Sequence, residues 1–210
     1  MQNHLEIIGT LKDIYEVSAA YGLKSYIWGG LCVDLLKGEW TREHGDADLF
    51  CENLIDHLDE LRNAYEARGY ETKYLPDFWM LQIRKGEMRA GFNMVRNVDG
   101  IAHWHHIGIH GTVFFPFEWL DQTPIDFFGT SAYTIGVRLA WVLKAYPHLL
   151  SPEWKGREKD RVDLEKLDGL LHAQKIEKAA FLRHVWAHNP FWYARGYAEY
   201  EFPVACGEEM

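Results

Sequence analysis

Between Tyr26 and Phe50 the chain reads YIWGGLCVDLLKGEWTREHGDADLF, and no other stretch restricts its fold as much. SYIW reads as a short strand ending at Gly29-Gly30, LCVDLLKG as a short helix stopped by Gly38, and ADLFC as a second strand. Residues two apart on a strand project to one face, so Asp46 and Asp48 present their carboxylates together, about 7 Å apart at the backbone. Two like charges inside an apolar run are costly unless something positive sits between them.

The rest of the chain alternates between helical and extended patterns. Residues 4 to 21 place Ile7, Ile8, Leu11, Ile14 and Tyr15 at helical spacing, closed by Gly22. Residues 53 to 69, with Leu54, Leu58, Leu61 and Tyr65, predict the next helix, closed by Gly69. ETKYL, WMLQIRK and MRAGFNMV then read as strands, the last two parted by the turn-like KGE. Residues 97 to 135 read as irregular, rich in Gly, Pro and aromatics, and from 136 the pattern IGVRLAWVLKAY and REKDRVDLEKLDGLLHA is helical again. This is an α+β pattern: a mixed β-sheet flanked by helices over 1–135 and a smaller helical part over 136–210. No internal repeat or low-complexity segment interrupts it.

Composition narrows the partners. With 48% apolar and 25% charged residues, the 210-residue chain has the balance of a folded protein with one substantial core, or a larger and a smaller domain. A formal net charge of −9 argues against a broad grip on nucleic acid or an anionic membrane, both of which need a concentrated positive face. The opening MQNHLEIIGTLKDI lacks a basic leader, and no run of about 18 apolar residues occurs, which predicts a cytoplasmic protein. Cys32, Cys51 and Cys206 show no CxxC spacing, so buried thiols are expected rather than disulfides or a cysteine zinc site.

Paired carboxylates with no accompanying cysteine favour Mg²⁺ or Mn²⁺ over zinc, and Mg²⁺ is normally held by one or two carboxylates plus substrate phosphates. A Gly-Gly turn opening a helix lets backbone N–H groups approach phosphate oxygens with no side chain in the way. Taken together, WGG...VDLL.G..TREHGDADL resembles the nucleotidyltransferase superfamily, and most closely the enzymes that modify lincosamide and aminoglycoside antibiotics. REKDRVDLEKL at 157–167 is similar to the helix that follows the catalytic domain in those proteins.

The resemblance implies a nucleotidyltransferase-like fold and Mg²⁺-dependent transfer of a nucleoside monophosphate from an NTP, ATP being the first candidate. The acceptor would be a hydroxyl of a small molecule, such as an aminoglycoside or lincosamide antibiotic, and the enzyme a monomer or homodimer. By position, Gly29 and Gly30 would contact the triphosphate and Asp46 and Asp48 would hold the metal. Arg42 and His44 lie at alternate positions upstream of Asp46 and could face the same cleft, although His44 could equally cap the turn. Lys144 could reach the triphosphate, as a lysine there does in relatives, or be an exposed helix lysine. Lys159, Asp160 and Asp163 read as a structural charged face joining the helical part to the catalytic part, with a direct substrate role the lesser alternative.

Here the chain departs from the pattern. Relatives carry a third carboxylate on a later strand; aligning MRAGFNMV with that strand puts Gly91 at its place. Asn93 has the same parity and could ligate through its carbonyl oxygen, but it cannot act as a base. The alternatives are substitution by Asp99 or Asp126, or a catalytically degenerate module that keeps nucleotide binding or pairs with another protein. HWHHIGIH at 103–110 raises a zinc hypothesis, but at most His103 and His105 share a strand face, so surface or cleft histidines are the plainer reading. The aromatics of FFPFEWL and NPFWYARGYAEYEF could stack a base or enclose an acceptor, and more often such residues make core.

Overall fold

The computed structural model describes residues 2–106, 111–120, 123–146, 156–182, 184–188 and 200–201. They divide between two compact units: one of Met1–Arg96 with Leu120–Gly136, the other of Asn97–Trp119 with Val137–Met210. No helix among the described residues is long and apolar enough to cross a membrane.

The first unit opens with helix α1 (Gln2–Ala20). Its Ile7, Leu11, Ile14 and Val17 recur at helical spacing and are all but inaccessible, so one stripe of the helix is core. After it come β1 (Ser25–Trp28), α2 (Gly29–Lys37) and β2 (Asp46–Glu52). Gly38 ends α2 in the left-handed conformation, its N–H donating to the Asp34 and Leu35 carbonyls, as a C-terminal glycine cap requires. Next are α3 (Leu58–Ala67), β3 (Glu71–Leu75), β4 (Met80–Lys85) and β5 (Met88–Val98). Two more strands of this unit, β8 (Ile125–Phe127) and β9 (Thr130–Thr134), follow later in the chain.

Within this unit the strand order is β3-β4-β5-β2-β1-β9-β8. β2 runs antiparallel to β1 and parallel to β5, while β4 runs antiparallel to both β3 and β5. The sheet is therefore mixed, as expected, and helices α1 and α3 pack with it and with each other. Along β2, Ala47, Leu49 and Cys51 are buried on one face, and Asp46, Asp48, Phe50 and Glu52 occupy the other.

The second unit holds β6 (Ile101–His106), β7 (Gly111–Pro116), helices α4 (Val137–Ala145), α5 (Glu158–Ala173) and α6 (Lys178–Leu182), and the short strands β10 (Trp186–His188) and β11 (Tyr200–Glu201). β6 and β7 form an antiparallel ladder in which Ala102, Trp104, Val113 and Phe115 are fully buried. β6, β7, β8 and β9 thus replace the irregular segment that the sequence suggested for 97–135. Of the FFPFEWL aromatics, Phe115 and Trp119 are core, as is Phe127 further on. Residues 107–110, most of NPFWYARGYAEYEF, and Cys206 lie outside the described residues.

Candidate active site

Asp48 sits between two glycines. Across the β1 ladder its Cα pairs with Trp28, and Gly29 follows immediately at the start of α2. Across the β5 ladder it pairs with Gly91. Gly29 has φ +74°, in the left-handed region where glycine is at ease, and a Cβ there would come within 2.8 Å of Asp48 Oδ2. Conformation and space both demand glycine at this position. Trp28 and Phe50 stack at 5.3 Å beside the carboxylate.

Gly30 is reserved for a different neighbour. A Cβ built on it would fall 1.7 Å from one terminal nitrogen of Arg42, so the guanidinium lies across the glycine bend. Arg42 rides on the loop between α2 and β2, and Asp34 holds that loop. The Asp34 carboxylate is inaccessible to solvent and accepts hydrogen bonds from the Thr41 N–H (3.0 Å), the Thr41 hydroxyl and His44 Nε2 (2.8 Å). Burial pulls this carboxyl upward, and the bonds from His44 and Thr41 more than reverse it, leaving it below the ordinary aspartate value. His44 is itself 3% exposed, so its ring is spent on Asp34 within the loop. Sequence reasoning passed over Asp34, although a carboxylate amid LCVDLL on an apolar helix was the signal of a buried group needing partners.

The acid pair fits a hard divalent cation: two carboxylates two residues apart on one strand face, beside the N-terminus of a helix that starts with glycines. Among the described residues, no group of three His, Cys, Asp or Glu side chains gathers to hold a metal. Gly91 pairs with Asp48 across the β5 ladder, and Asn93, two residues on, is buried with its amide donating to the Leu49 carbonyl at 3.4 Å. Asp126 is exposed and accepts the Gly129 N–H; Asp99 is exposed.

Beyond Gly91 the sheet face continues as a groove of about 690 Å³ that includes Asp46 and Asp48. Register places Arg89 opposite Asp46, Arg84 opposite Arg89, and Glu71 opposite Arg84; Gln82 faces Gly91, and Lys73 faces Gln82. No local pattern in the sequence singled out Arg89, Arg84 and Lys73, because only the strand pairing brings them to one face.

In the second unit, Lys144 is 10% exposed at its side chain and lies between Asp160 (2.7 Å) and Asp163 (2.9 Å). Arg157 also reaches Asp160 at 2.7 Å. Burial raises the Asp160 carboxyl, but Arg157 and Lys144 hold it far below the usual range. These acids fasten α5 to α4. His103 stands edge-on to Phe114, and His105 meets Thr112.

The description aminoglycoside-2''-adenylyltransferase belongs to the family model that matches residues 10–167. No curated protein sequence matches the chain. The antibiotic-resistance factor ANT(2'')-Ia in solution is similar at 17% identity and TM-score 0.65, over 84% of this chain and 91% of that one. ANT(2'')-Ia in complex with adenylyl-2''-tobramycin gives 19% and 0.64, over 84% and 97%. The lincomycin-bound lincosamide antibiotic adenylyltransferase LnuA gives 18% and 0.56, over 75% and 93%. At these identities the structures establish the nucleotidyltransferase-like fold, and the family match spans three quarters of the chain. The chain belongs to the aminoglycoside-2''-adenylyltransferase family.

Proposed function

We propose that the protein transfers a nucleoside monophosphate from a Mg²⁺-bound NTP, with ATP the first candidate, to an oxygen of a small molecule. The observation that supports this reading is the abutment of Asp48 Oδ2 on the Gly29 bend, which brings the acids proposed to hold the metal beside the turn proposed to hold the phosphates. The bend opens α2, whose first N–H groups and positive dipole end suit the triphosphate. Arg42, held over Gly30, supplies a guanidinium to the phosphates, and Asp34 and His44 keep its loop in place. Asp46 and Asp48 would hold Mg²⁺ or Mn²⁺. When bound, the ion would offset the charge that develops as pyrophosphate leaves.

The related complexes with adenylyl-2''-tobramycin and with lincomycin make a hydroxyl of an aminoglycoside or lincosamide the acceptor to try first. Gly91 favours a second reading: a nucleotide-binding module without transfer, since no carboxylate stands opposite Asp48 on β5. Calorimetry with Mg-ATP and a pyrophosphate-release assay with acceptors distinguish the two. Transfer predicts micromolar to millimolar Mg-ATP binding and turnover that falls roughly hundredfold or more in Asp48→Asn. An Asp48→Asn protein with unchanged turnover removes the metal assignment, and binding with no turnover on any acceptor supports the module.

A further inference from the structure

Measured from Asp46 and Asp48, the groove extends away from the glycine bend, across β5 to β4 and β3. In the proposed reading the triphosphate lies on the other side, at Gly29, Gly30 and Arg42. What lines the groove therefore meets the acceptor. Its charged side chains besides the acid pair are Lys73, Arg84 and Arg89 against a single acid, Glu71. Register sets Arg89 one strand spacing from Asp46 and Arg84 two, so the cations begin directly beside the metal-binding position. Lys73 and Arg89 are exposed and, among the described residues, form no salt bridge, while Arg84 Nε donates to the Gly86 carbonyl at the hairpin turn. Away from the acid pair, a polycationic acceptor would face like charge on Lys73, Arg84 and Arg89.

Gly91 is the second observation. It occupies the register position opposite Asp48, and no acid in the strand core is placed to take a proton from an acceptor hydroxyl. A hydroxyl nucleophile needs that base. An acceptor whose oxygen is already ionised does not.

Resting on the nucleotidyl-transfer reading above, we infer that the acceptor is a phosphate monoester, held by Arg89, Arg84 and Lys73, whose own oxygen attacks the α-phosphorus of the nucleotide. With a second pKa of about 6, such a phosphate is largely dianionic at neutral pH. One of its oxygens forms a bond to the α-phosphorus while the bond from that phosphorus to the bridging oxygen breaks. Pyrophosphate leaves with the electron pair, and the product carries a diphosphate linkage. No proton passes to the protein, so Gly91 suffices. Paired guanidinium groups beside an ammonium suit a doubly charged phosphate.

The test is calorimetry on protein loaded with Mg²⁺ and the α,β-methylene analogue of ATP, titrated with glucose 1-phosphate, ribose 5-phosphate and glycerol 3-phosphate, each beside its dephosphorylated twin, and with kanamycin. The same compounds are then assayed for pyrophosphate release from ATP. At least one monoester should bind tenfold or more tightly than its twin and support release. Arg89→Ala with Lys73→Ala should weaken that binding at least tenfold while the affinity for the ATP analogue changes less than threefold. Kanamycin or a dephosphorylated twin binding better than every monoester overturns the inference, as does a double variant that loses the ATP analogue, which would assign these cations to the triphosphate. Failure of wild-type protein to take up the Mg-ATP analogue is a separate result, and it overturns the nucleotidyl-transfer reading itself.

Discussion

Gly91→Asp should supply a general base opposite Asp48, at a register position where β5 carries no carboxylate. The backbone at Gly91 is outside the left-handed region, and a Cβ there would meet only the Met80 sulfur, at 3.5 Å, an ordinary contact. Strand spacing brings the new carboxylate within roughly 5 Å of that of Asp48. At an effective dielectric constant near 20, two such charges repel by about 3 kcal/mol, and removal of an interior strand glycine offsets about 0.5–1 kcal/mol. The metal-free variant should therefore lose about 2 kcal/mol, a fall of roughly 4–8 °C in Tm, most of which Mg²⁺ should restore. Water is the simplest hydroxyl acceptor, so the assay is formation of AMP and pyrophosphate from labelled ATP with no acceptor added. A positioned base is worth about 10²–10⁴-fold, so hydrolysis should rise at least a hundredfold over wild type. Gly91→Asn, similar in shape without the charge, should show no rise. A Gly91→Asp protein that folds and binds Mg-ATP like wild type, yet makes AMP no faster, refutes position 91 as the place of the base.

Gly29→Ala forces an L-residue into φ +74° and drives its Cβ at Asp48; about 1–2 kcal/mol of strain should lower Tm by only a few degrees, while calorimetry shows Mg-ATP affinity falling tenfold or more. Lys144→Met leaves Asp160 and Asp163 without their shared ammonium and should cost about 3 kcal/mol by chemical denaturation; a cost below about 1 kcal/mol would contradict the reading of Lys144 as the fastening between α4 and α5. The pH dependence follows from Asp160 and Asp34, both depressed in the folded protein. Their contribution is fully present above the unfolded value near 4 and is lost as pH falls from there through the lower folded values, so thermal melts should lose stability below about pH 4 and stay flat in this respect above about pH 5.

How much of this was legible in the sequence follows from how far apart the interacting residues lie. The turn at Gly29-Gly30, helix α2 and the Asp46/Asp48 strand are set by spacings of two to four residues, and the structure keeps that order. Strand β9 was only half legible, because besides its local hairpin with β8 it pairs parallel to β1, with Tyr133 beside Tyr26 more than a hundred residues away. In β6 the alternation was present: Ala102 and Trp104 point inward and are fully buried. The histidines at the intervening positions drew attention to metal chemistry instead. For His44 strand parity left the cleft and a turn-capping role equally open; the stretch before Asp46 is a loop, where parity has no force, and the ring bonds a buried carboxylate ten residues back.

The two glycines that flank Asp48 answer to different constraints, and the difference bears on chemistry. At Gly29 the backbone angle and the 2.8 Å approach leave no other residue available, so glycine there follows from the fold. At Gly91 neither constraint applies: the conformation is open to any residue and the nearest atom is a flexible thioether at 3.5 Å. A Cβ there would make an ordinary contact, and a divalent ion at Asp48 would offset the charge of an aspartate. Glycine at 91 is thus not dictated by packing at its Cβ, and the inferred acceptor supplies a reason for it. A bulky anionic acceptor needs room beside Asp48 and is repelled by a third carboxylate, whereas a hydroxyl acceptor gains from one. The cations of β3, β4 and β5 point the same way, since Arg89 and Arg84 share the strand face on which that third acid would have stood.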